Sequence, residues 1–173
     1  GQISSSNYWY GQFQIKFPHH TKTAEMIWTK ATKMEKSGNF RKADSLYHHI
    51  DAHFSQDKRR KWATFRSALM YHQKEDYKTS AVQFHEVVEK RRGLWSGNGA
   101  LFFKGDAFVQ LGQKQEAKKA FLDCIKDFPL SYYAHLSRSH LAEHQLMPAS
   151  EIPTISPLFI SDEDAYAWPS PGA

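Results

Sequence analysis

Shifted by 37 residues, this sequence lands on itself twice. Gly38-Asn39-Phe40-Arg41-Lys42-Ala43 falls on Glu75-Asp76-Tyr77-Lys78-Thr79-Ser80, and then on Gly112-Gln113-Lys114-Gln115-Glu116-Ala117. The slots around each anchor keep their character. Small residues come seven before (Ala31, Ala68, Gly105), aromatics nine after (Tyr47, Phe84, Phe121) and compact apolar residues twelve after (Ile50, Val87, Cys124). A fixed period of this size means stacked supersecondary units rather than one globular core. Stacked units mostly hold or display other molecules, which tilts the reading away from an enzyme.

Each unit reads as a helical hairpin. Apolar residues recur at spacings of three and four, as one face of a helix requires. Ala31 and Met34 share one stripe, and Ala43, Tyr47 and Ile50 share another. The break between stripes carries Gly38 and Gly112, where a helix stops and the chain reverses. Glu75 takes that place in the middle unit, so strain or a longer turn is expected there. The small residues Ala31, Ala68 and Gly105 are expected to face Ala43, Ser80 and Ala117 and let paired helices approach closely. Residues 4–18, with Tyr8, Trp9, Tyr10, Phe13 and Phe17, read as part of a helix broken at Pro18-His19-His20. Tyr133, Leu136 and either His140 or Leu141 form the stripe of a capping helix, which a stack needs over its last apolar face. Five of the seven prolines follow Leu146, which excludes a long helix there.

The third unit resembles the tetratricopeptide repeat. Leu101, Gly105, Phe108, Gly112, Ala117, Phe121 and Pro129 nearly reproduce W-x2-L-G-x2-Y…A-x3-F…P. Leu101 stands where that family often has tryptophan, and Lys104 where it prefers leucine. The family period is usually about 34, so longer connections between units are expected. The resemblance covers residues 23 to 144. It implies an all-α solenoid of three helical hairpins with a capping helix and an extended C-terminal arm. The expected organisation is an N-terminal aromatic segment (1–22), the repeat domain (23–146) and a Pro-rich tail (147–173). In that family the first helix of each unit lines the concave side. This places Trp28, Trp62, Phe65, Leu69, His72, Phe102, Asp106 and Val109 in a groove, a candidate site for a protein or extended peptide. Chaperone-binding members hold a terminal carboxylate with lysines and asparagines. Trp28, Thr32, Phe65, Leu69, Phe102 and Asp106 occupy those places here, which argues for an apolar ligand or for filling by the chain's own C-terminal arm. The competing reading is that Trp28, Phe65 and Phe102 pack between neighbouring first helices.

A narrower stretch, Leu111 to Ala117 with Asp127-Phe128-Pro129-Leu130-Ser131-Tyr132-Tyr133-Ala134 and Leu141, is similar to the superhelix of soluble lytic murein transglycosylases. That resemblance implies a periplasmic or cell-envelope setting, the alternative being the cytoplasm, and a role in positioning a peptidoglycan glycan strand or a partner protein. The family's catalytic Glu-Ser pair does not occur in this sequence. A free-standing protein-binding scaffold is the alternative.

Other chemistry finds little footing. The balance of 23 basic to 18 acidic residues gives a net charge of +5. Its concentrations, Lys58-Arg59-Arg60-Lys61 and Lys90-Arg91-Arg92, are expected to be solvated near helix C-termini, and no nucleic-acid motif accompanies them. No run of 18 apolar residues exists to span a membrane. A start at Gly1, without methionine or a signal-like segment, reads as a processed or excised chain. The single Cys124 excludes an internal disulfide and is expected to pack. His140-Leu141-Ala142-Glu143-His144 spells an inverted zinc-peptidase pattern, but a distant acidic ligand would have to come from the tail. His49 and His53, four apart, read as a wet face. Gly97-Asn98-Gly99 lacks a phosphate-loop lysine and reads as a turn. No catalytic residue, metal site or cofactor is expected.

Overall fold

The computed structural model describes residues 8, 9, 11–13, 15–91 and 95–154. The fold is all-helical: α1 (Thr21–Lys36), α2 (Phe40–His53), α3 (Arg60–Gln73), α4 (Tyr77–Arg91), α5 (Trp95–Gln110), α6 (Lys114–Asp127) and α7 (Tyr132–Glu143), followed by a 3-10 turn, Ala149–Glu151. Consecutive helices pack antiparallel as hairpins α1–α2, α3–α4 and α5–α6, with α7 closing the stack. The connection between the first two hairpins, residues 54–59, is longer than the three-residue turns within hairpins.

All three turns are built alike. Gly38, Glu75 and Gly112 have φ of 78°, 63° and 70°, the left-handed region. In each, the residue after it donates its N–H to a carbonyl five residues back: Asn39 to Met34, Asp76 to Tyr71, Gln113 to Phe108, at 2.9, 3.0 and 2.9 Å. The left-handed residue donates three residues back, Gly38 to Glu35, Glu75 to His72 and Gly112 to Val109. These paired bonds satisfy carbonyls that a helix end otherwise leaves open. The next helix is started by Asn39 and Asp76, whose side chains accept from the N–H of Lys42 and Thr79. Glu75 therefore keeps the turn short and takes up the strain. The same closure recurs after α7, at Gln145 (φ 51°), with Leu146 bonded to the Leu141 carbonyl.

Close approach explains the small residues. Ala31, Ala43, Ala68, Ser80 and Ala117 are fully buried. A methyl group at Gly105 would lie 2.6 Å from the Phe121 ring. Gly99 corrects the turn expected at Gly97-Asn98-Gly99: it lies inside α5, where a methyl would meet Tyr133 at 3.1 Å and Phe65 at 3.2 Å. The glycine admits two rings beside the helix rather than bending it.

Two apolar clusters fill the stack. One joins Ala24, Ile27, Ala31, Ala43, Tyr47, Ile50 and Phe54 of the first hairpin to Ala63 and Met70 of α3. The other joins Ala68 to α4, α5, α6 and α7 through Phe84, Leu101, Phe121 and Leu141. Cys124 is buried in it, and burial pushes its thiol pKa up to about 11. The start of the Pro-rich segment is docked here. Leu146, Met147 and Ile152 pack on this cluster, and Arg138 donates to the Pro153 carbonyl at 2.7 Å. The remainder of the expected C-terminal arm, 155–173, lies outside the described residues, as do residues 1–7 of the N-terminal segment. The described residues between 8 and 16 are helical, and Phe13 and Phe17 pair at 5.1 Å before the chain turns into α1.

A left-handed L-residue costs about 1 kcal/mol more than glycine. Glu75→Gly is therefore expected to raise the urea midpoint by about 1 kcal/mol of stability, and Gly112→Ala to lower it by a similar amount. Gly105→Ala gains about 1 kcal/mol of helix propensity but overpacks Phe121, at about 1–3 kcal/mol. A net loss is expected in the same titration.

Candidate functional site

The first helices form one layer, since α3 packs directly on α5 and α5 on α7. On α3, Trp62, Phe65, Leu69 and His72 follow at spacings of three and four, so they share a stripe. Phe102, Asp106 and Val109 do the same on α5, and Trp28 lies on α1.

These residues divide by exposure. Trp62 is 39% exposed, its ring set edge-on to Phe65 with centroids 6.0 Å apart. Trp28, Phe65, Leu69 and Val109 are half-buried. Trp28 rests against Tyr47 at 5.3 Å, while Phe65 meets Phe84 at 5.5 Å and Phe103 at 6.1 Å. Phe102 is 6% exposed, held by Tyr133 at 5.6 Å and by His140 at 5.0 Å. It is a floor between α5 and α7 and offers little surface.

His72 and Asp106 meet. The imidazole Nε2 lies 2.8 Å from one carboxylate oxygen, and His140 Nδ1 of α7 approaches the other at 3.6 Å. His72, Asp106 and His140 thus form one polar cluster where α3, α5 and α7 meet beside the aromatic rings. Burial by itself would raise the Asp106 carboxyl pKa. Contact with His72 and the fields of His140 and His144 outweigh it and hold the carboxyl below its ordinary range. The H-x-x-E-H pattern therefore spends His140 on Asp106. Its other histidine, His144, is 5.3 Å from His140 ring to ring. Among the described residues no group of three or more His, Cys, Asp or Glu side chains is placed to hold a metal ion.

The α1 side of this layer is polar. Arg66 pairs with Glu35 at 2.9 Å, and the Tyr47 hydroxyl donates to the same carboxylate at 2.7 Å. The expectation for Lys58-Arg59-Arg60-Lys61 is corrected here. These residues stand at the N-terminus of α3, where the helix dipole disfavours cations. Carboxylates compensate: Arg59 pairs with Asp57 (3.0 Å) and Glu25 (3.3 Å), and Arg60 with Asp51 (3.4 Å). Lys90, in the last turn of α4, pairs with Glu86 at 2.6 Å and Asp51 at 3.3 Å. Arg92 lies outside the described residues. His49 and His53 stack at 4.4 Å on an exposed face, where partial burial and the second imidazole depress the His49 pKa. No helix among the described residues is long and apolar enough to cross a membrane.

No family model matches this chain, and no curated relative matches it. Among solved structures, one described as the first TPR of Spaghetti (RPAP3) bound to HSP90 peptide SRMEEVD superposes with a TM-score of 0.55 at 17% identity. The match covers 75% of this chain and 98% of that one. A likeness at this identity concerns the fold: the chain is a tetratricopeptide-like stack of helical hairpins.

The sign of the acid response follows from the depressed carboxyl. A group whose folded pKa lies below its unfolded value, 3.8 for Asp106, contributes stability above that value and loses it as pH falls through the folded one. Asp44 and Asp57 are depressed as well, burial again opposing and hydrogen bonds from His48, Ser67 and Gln83, or from Thr21 and Arg59, prevailing. Urea titrations from pH 6 to pH 2.5 are expected to show stability falling below about pH 4. Asp106→Asn is expected to make that fall shallower.

Proposed function

We propose that this chain is a non-catalytic scaffold that binds an extended segment of a partner protein across its first-helix layer. The observation that carries this reading is Trp62. It is a two-fifths exposed indole on the same stripe as half-buried Phe65 and Leu69, with Trp28 on the preceding first helix. Such a face offers apolar anchoring beside backbone too regular to bind by itself. The superposed repeat domain was solved with a peptide, which favours the same mode of use.

The chemistry favours apolar or aromatic anchors over a terminal carboxylate. Arg59 and Arg66 are already neutralised by Asp57, Glu25 and Glu35, and the ionised Asp106 lies in the same layer. An incoming carboxylate would meet like charge there. A cell-envelope location and the positioning of peptidoglycan would follow from the narrower resemblance of residues 99–144 to transglycosylase superhelices. The comparisons bring nothing in its favour, and the peptide scaffold stands ahead of it.

Panning a random-peptide display library on the chain tests this. Selected peptides are expected to carry aromatic or aliphatic anchors at internal positions. Trp62→Ala is expected to weaken the best of them by about 30-fold, the loss of about 2 kcal/mol typical of a tryptophan anchor. The peptide SRMEEVD is expected to bind at least tenfold more weakly. Unchanged affinity in Trp62→Ala, or selection that depends on a free C-terminal carboxylate, would refute the reading.

A further inference from the structure

The two seams between hairpins are made of different material. Between the second and third hairpins the contact is mainly aromatic and aliphatic, with His72–Asp106 and Lys104–His85 among its polar crossings. Phe103 of α5 stacks on Phe84 at 5.5 Å and meets Phe65 at 6.1 Å, and Gly99 admits Phe65 against the α5 backbone. Val87, Val88, Ala100 and Leu101 lie in one continuous cluster that runs on to α7.

Between the first and second hairpins, ion pairs and polar bonds run beside a smaller apolar contact. Glu35 meets Arg66, and Glu25 meets Arg59. Asp51, 7% exposed, holds both Arg60 and Lys90. Asp44 accepts from the Ser67 hydroxyl and from Gln83 at 3.0 Å, and Thr21 donates to Asp57 at 2.5 Å. The apolar cluster of the first hairpin is separate from the larger one, and from α3 it takes Ala63 and Met70, with Tyr71 beside them. Arg60 and Arg66 (42% exposed) and Lys90 (48%) remain in reach of water, and pairs so exposed contribute little each. Apolar burial contributes about 25 cal/mol per Å².

We infer that the first hairpin, α1–α2, opens from the rest of the stack as one unit, hinging at the 54–59 connection on this ion-paired seam. Opening moves α1, which carries Trp28, away from α3, which carries Trp62, while α3 to α7 stay joined. The inference rests on the seams and stands whether or not a peptide binds there.

Native-state hydrogen exchange of the full chain, read by mass spectrometry over a series of sub-denaturing urea concentrations, tests it. Amides of α1 and α2 are expected to exchange through an opening at least tenfold more populated than the one that exposes α5 and α6. Asp51→Asn is expected to increase that opening a further tenfold and to leave α5 and α6 unchanged. A single opening shared by all helices would overturn the inference. So would an α7 as labile as α1, the sign of ordinary fraying at both ends, or an Asp51→Asn effect spread equally over both halves. If Asp51→Asn does not fold, the wild-type urea series still decides between one opening and two.

Discussion

The left-handed residue at the end of each first helix is the constraint from which the rest of this architecture follows. It lets two backbone bonds close the helix and reverse the chain within three residues. A reversal that short leaves the second helix nowhere to go but back along the first. The remaining freedom is the separation of the two helices, along which Ala31, Ala43, Ala68, Ser80 and Ala117 are fully buried and Gly105 leaves room for the Phe121 ring. At that separation the large rings Tyr47, Phe84 and Phe121 are fully enclosed. The turn thus determines where the aromatic stripe sits, and the stripe determines which faces are left for the neighbouring hairpin.

Much of this was legible because a repeat states each rule several times. The register of Gly38 and Gly112 placed a turn at Glu75 although glutamate does not favour it, and the structure keeps the turn at the same length. Composition misled where one residue type serves two ends. Gly97-Asn98-Gly99 carries the residues of a turn, but Gly99 sits mid-helix because Phe65 and Tyr133, each 34 residues away, press on its backbone. A ring at each of those distances was the available signal. The basic run 58–61 misled similarly, since its sign depends on which end of a helix it occupies, and a helix boundary is the least secure feature of a pattern.

The site was legible in part. Residues assigned to the first-helix face do share stripes on α1, α3 and α5, since helical spacing alone puts them there. What spacing could not show was depth: Phe102 and Trp62 look alike in sequence, yet one is floor and the other surface. Nor could it pair His140 with Asp106. His72, Asp106 and His140 follow one another at intervals of 34 residues, as do Phe65, Gly99 and Tyr133, an offset that the 37-residue period of the turns does not show. The polar seam was hidden for a related reason. Its partners are 9 to 39 residues apart, and none is a neighbour on the same helix.

That seam gives the inner layer two mechanical parts. From α3 onward, enclosed rings and the His72–Asp106–His140 cluster join α3, α5 and α7, and moving one would break apolar packing. On the α1 side, separation exposes carboxylates and guanidiniums that water can solvate. Trp62 stands on α3 beside Phe65, on the stripe whose inner residues pack on the larger cluster. A ligand anchored there gains a rigid wall on one side and an adjustable one on the other. The width of the site can then adapt without disturbing the rings that hold it.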